Sequence, residues 1–89
     1  MKERSKILGD AARAHALLED EMIKEIWAKL EADYRQAWLY TQSDDVAKRE
    51  RLWQAIHILK LVQSHLRTIV HDGKVAQSDI DAVTYLKTA

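Results

Sequence analysis

Four histidines, His15, His57, His65 and His71, are the side chains in this sequence best suited to hold a metal or to move a proton near neutral pH. Two ligands from one helix face need a spacing of three or four residues, so that both rings reach the same ion. No two of these histidines stand at that spacing. His57 and His71 share a helix face, but about 21 Å of axis separates them. His15 and Glu19 have the right spacing and supply at most half a site. The pattern predicts solvated histidines and no metal, with His71 placed to interact with the carbonyls of a helix C-terminus.

Nucleophilic chemistry has as little support. Ser64 falls between His57 and His71 on one polar face, where nothing would exclude water or orient a base. There is no glycine-rich phosphate loop and no nucleophile elbow. Cysteine is absent, so thiolate catalysis and disulfides are both excluded. The carboxylate runs Glu19–Asp20–Glu21 and Asp44–Asp45 read as helix caps, not as acid–base pairs. We therefore expect no catalytic residue, no cofactor and no enzymatic activity.

The elements that would position these side chains are all helical. From Ser43 to Gly73 the chain carries a start signal, an apolar seam and a stop signal. Ser43, Asp44 and Asp45 offer oxygens to the first free amides. Leu52, Leu59 and Leu66 recur every seven residues, each followed after three by Ala55, Val62 or Ile69, with Ile56 and Val70 widening the stripe. Gly73 is suited to the left-handed conformation that closes a helix. The spacing predicts helices over 10–18, 21–41, 44–71 and 79–87, with residues 1–9 frayed. Asp20 reads as the cap of the second helix, because the apolar stripe fails at Glu19 and Asp20; one bent helix is the alternative. Thr41 to Ser43 is a connection short enough to join antiparallel neighbours. No window alternates as a half-buried strand does. The expected fold is all-α: one domain over residues 1–89, a long antiparallel helical hairpin with short flanking helices covering its open side.

Composition sets the outer limits. Eighty-nine residues make one small domain, expected to bury about 60–65% of its extended surface. Fourteen Lys and Arg balance fourteen Asp and Glu, which argues against a dedicated nucleic-acid binder. No apolar run approaches the ~20 residues that span a bilayer. MKERSKILGD lacks the apolar core of a signal peptide, so a soluble intracellular protein with no membrane partner is expected.

Two surfaces remain. Arg49, Lys60 and Arg67 lie within about 20° of one another on a helical wheel, with Trp53 nearby, a pattern a phosphate-tracking strip would use. A solvated face whose long side chains lie over Trp53 is the plainer reading. Ile58, Leu61, Trp53 and Leu39 fall outside the arc that one antiparallel helix covers, and three Trp with three Tyr exceed what a hairpin can bury. Terminal helices could cover some of them; a second subunit or a protein partner would cover the rest.

LEADYRQAW (30–38) and RERLWQAIHILKLVQSHLRTIVHDGKVA (49–76) together resemble a group of small, mostly uncharacterised α-helical proteins encoded in tailed-phage and prophage genomes. The marks are Tyr34 with Trp38, the Arg-Glu-x-Leu-Trp start at Arg49–Trp53 and the Gly-Lys-x-Ala exit at Gly73–Ala76. Members often carry a proline near the first break, and this chain has none. The resemblance covers about half the chain and carries no functional residue. It implies a phage context and a small helical accessory part; the expected location is the host cytoplasm, with association with the virion as the alternative. The expected function is a non-enzymatic accessory protein acting through protein contacts in virion assembly, as a homo-oligomer or with a phage or host protein. The alternatives are a DNA-contacting packaging or regulatory factor and a phage-encoded inhibitor of a host protein.

Overall fold

The computed structural model describes residues 2–88, and side-chain exposure for residues 3–87. Three helices follow one another: α1 (Lys2–Glu19), α2 (Glu21–Leu39) and α3 (Val46–Thr88). Among the described residues there is no strand, and the protein is all-α.

Helix α1 starts well before Asp10, so the described part of the segment expected to fray is helical. Glu, Arg, Lys, Ile and Leu are all adequate helix formers, and the one exposed glycine, Gly9, costs only about 1 kcal/mol. Ile7 and Leu8 extend the apolar stripe toward Ala11 and Ala14, and Lys6 pairs with Asp10 at 3.4 Å. The chain breaks where the stripe fails. Asp20 is extended (φ −67°, ψ 123°), and its carboxylate accepts from the Ile23 amide at 2.9 Å, which starts α2.

Helix α2 ends in a turn built from its own side chains. The Thr41 hydroxyl donates to the Trp38 carbonyl at 2.6 Å. Asp45 then accepts from the Lys48 amide at 3.2 Å and caps α3. Of the three oxygens expected at this start, that of Asp45 makes the cap.

Helix α3 corrects two expectations. It runs for 43 residues, straight through Gly73 and the Lys74–Gln77 stretch expected to turn. The short helix expected at 79–87 is its continuation. Gly73 is not a left-handed stop, since no glycine among the described residues has a positive φ. Its missing side chain serves packing. Gly73 is buried, with the Ala11 Cα 3.7 Å and the Ile7 carbonyl oxygen 3.8 Å from where a Cβ would sit, and that Cβ would overlap the Ala11 methyl.

The chain forms two compact units. One holds α1 up to Leu18 with α3 from His65; the other is the hairpin Glu19–Ser64. In the first, the close approach uses Ala11, Ala14, Gly73 and Ala76, small residues on both helices. Ala14 (3% exposed) and Ala76 (6%) are the buried hydrophobic residues. In the second, Ile23, Trp27, Leu30, Tyr34 and Trp38 of α2 are half-buried, and Leu52, Ala55, Ile56 and Leu59 of α3 likewise. Leu66 and Val70 keep the seam in the first unit, but Val62 and Ile69, expected in it, are exposed at 46% and 36%. One partner helix covers a narrower arc than the sequence stripe spans.

Candidate interaction surface

Among the described residues, no side chain larger than alanine is buried. A two-helix unit can only half-cover a seam, because each helix has one neighbour.

The four exposed apolar residues of the Glu19–Ser64 hairpin expected from sequence at an interface fall into two groups. Leu39 is 73% exposed and Trp53 60%. They line one cleft with Trp38, Ile56, Arg35 and Lys60, of about 390 Å³. A second cleft of about 360 Å³ adjoins it along Trp38 and Trp53, with Arg49, Glu50, Ser43 and Val46. The hairpin geometry makes this surface: Trp38 ends α2 and Arg49 and Trp53 begin α3, so a short connection sets them side by side. The Arg49 guanidinium lies 4.2 Å from the centre of the Trp38 ring. Trp53 stacks on His57, with centroids 5.6 Å apart and planes within 8°. Arg35 is held by Glu31 at 2.7 Å. The arrangement is an aromatic platform edged by cations.

Ile58 (57% exposed) and Leu61 (45%) do not join this cleft. At 100° per residue, Ile58 and Val62 fall roughly half a turn from Trp53 and Lys60, on the other flank of α3. That flank carries the aliphatic side chains of Ile58, Leu61 and Val62, interspersed with Arg51 and Gln54. Thus two of the four interface residues expected from sequence, Trp53 and Leu39, come together, and Ile58 and Leu61 mark a separate surface.

The three residues of the expected cationic strip, Arg49, Lys60 and Arg67, all lie on α3. Arg49 and Lys60 line the clefts of the hairpin, and Arg67 belongs to the other unit. His57 is stacked, and His15, His65 and His71 are exposed. Among the described residues no three His, Cys, Asp or Glu side chains are grouped to hold a metal ion. Nor, among these residues, is any helix long and apolar enough to cross a membrane.

Sequence reasoning missed the Arg49–Trp38 stack and the exposed Met22 (68%) and Ile26 (43%) of α2. The signal available was the placement of a tryptophan shortly before, and an arginine shortly after, a connection between antiparallel helices. No protein-family model, no curated protein and no solved structure matches this chain.

Proposed function

We propose that this chain is a non-enzymatic accessory protein of a phage or prophage that self-associates and acts through protein contacts in particle assembly. The observation that carries the reading is the unburied apolar surface of the hairpin, Leu39, Trp53, Ile58 and Leu61, together with the absence of any large buried side chain among the described residues. Such a surface costs solubility when exposed and marks a protein contact. The aliphatic flank of Ile58 and Leu61 suits a second copy, because two hairpins joined on such flanks make a four-helix bundle in which each seam gains a cover. The phage context rests on the resemblance of residues 30–38 and 49–76.

The experiment is a disruption of the encoding gene in its phage genome, with intact particles counted by electron microscopy. Particle yield should fall, and wild-type protein supplied separately should restore it while Ile58→Glu plus Leu61→Glu should not. An unchanged yield after disruption, or equal rescue by the double variant, would contradict the reading.

A further inference from the structure

The Glu19–Ser64 hairpin carries an aromatic cleft edged by cations and, apart from it, an acidic stretch. Near the connection lies the Trp38–Trp53 cleft, edged by Arg49 and Lys60 with the single carboxylate Glu50. At the start of α2 lies Glu19–Asp20–Glu21–Met22, followed by Glu25 and Ile26. Lys24 offsets part of this charge, reaching Glu19 at 3.5 Å and Glu21 at 3.9 Å. Met22 is 68% exposed among these carboxylates, an apolar anchor with a negative surround.

We infer that the tryptophan cleft of one copy receives the acidic start of α2 from a second copy, with Met22 against the indoles and Glu21 and Glu25 facing Arg49 and Lys60. The inference rests on the self-association proposed above and names a contact for it. A flexible thioether fits an open aromatic cleft and gains favourable sulfur–ring contacts. Charge complementarity supplies orientation and speeds encounter. The contact must lie between copies. From Ile23 to Trp38 the helix axis runs about 22 Å, so the segment cannot fold back into its own cleft. A nucleic acid is a poorer occupant, because the hairpin holds nine carboxylates against seven Lys and Arg and would repel a polyanion around the cleft. Since cleft and segment are different surfaces, the contact is head-to-tail and can propagate from copy to copy.

The test uses the full chain carrying Ile58→Glu plus Leu61→Glu, which removes the aliphatic-flank contact. At about 50 mM salt its mass by light scattering should rise with concentration, and at about 500 mM it should fall back toward the 10.3 kDa monomer. Trp53→Ser or Met22→Ser added to this background leaves net charge unchanged, and each protein should be monomeric alone. Mixed in equal amounts they should form a 1:1 pair, because one supplies an intact segment and the other an intact cleft. Both positions are exposed, so helix content by circular dichroism should match the parent. Growth that survives either substitution, or a mixture that stays monomeric, overturns the inference. If the flank variant is monomeric at every salt concentration while wild type associates, the inference is wrong and self-association stands. If wild type is itself a monomer, both fall.

Discussion

The two glycines offer one substitution with opposite expected signs. Replacing glycine by alanine inside a helix normally stabilises by about 0.5–1 kcal/mol, through lost freedom in the unfolded chain and better helix propensity. Gly9 lies in α1 with nothing within 4 Å of the position a Cβ would take. Gly9→Ala should therefore show the whole gain. At Gly73 the same methyl overlaps the Ala11 methyl, in a seam where Ala14 and Ala76 are already buried. Carbon atoms rest about 3.5–4 Å apart, so α1 and α3 must separate by more than an ångström there. Overpacking of this kind costs about 1–3 kcal/mol, which exceeds the propensity gain. We expect Gly73→Ala to destabilise by about 1–2 kcal/mol, a fall in Tm of roughly 4–8 °C per kcal/mol for a chain of this size. Urea unfolding followed by circular dichroism at fixed protein concentration measures both variants. Ala11→Gly in the Gly73→Ala background should recover part of the loss, giving a coupling above about 0.5 kcal/mol. If Gly73→Ala raises stability as much as Gly9→Ala, the close approach of the two helices is wrong.

Further outcomes follow from other parts of the chain. Asp20→Ala removes the oxygen that accepts from the Ile23 amide and should cost about 0.5–2 kcal/mol, read from the same urea curves, whereas Asp20→Asn should cost much less. Ile58→Glu plus Leu61→Glu should keep helix content and lower the mass toward the monomer at ~150 mM salt, measured by light scattering on the size-exclusion peak. Duplex DNA at ~150 mM salt should bind weakly and without sequence preference; micromolar affinity lost on charge reversal at Arg49, Lys60 and Arg67 would instead favour a DNA-contacting role. Chelators should leave the thermal midpoint unchanged, and stoichiometric zinc in purified protein would show that a metal site had been missed.

What could be read in the sequence was local. The Asp20 cap follows from a polar residue placed where the apolar stripe fails, and the start of α3 from the Ser43–Asp45 cluster. The leucine repeat located the face that α3 turns to its neighbours. What could not be read depended on a partner in another helix. Gly73 reads as a stop because glycine's conformational freedom is a local property. The role of Gly73 is set by Ala11, whose nearness only the tertiary fold reveals. Once the helix is not stopped there, its C-terminal part has α1 to pack against, and the short covering helix never forms. The candidate surface was legible in part. Leu39, Trp53, Ile58 and Leu61 lay off the seam, but their division between an aromatic–cationic cleft and an aliphatic flank depends on which side of α3 meets α2.

The claim on which the rest depends is that this chain covers its apolar faces with further copies of itself. Sedimentation equilibrium of the wild-type protein at about 100 µM tests it most directly, since association driven by buried surface is governed by mass action. A weight-average mass of at least twice the 10.3 kDa chain, falling on dilution, is the predicted result. A mass that stays at 10.3 kDa across the concentration range would contradict self-association and leave the exposed hairpin to a different protein.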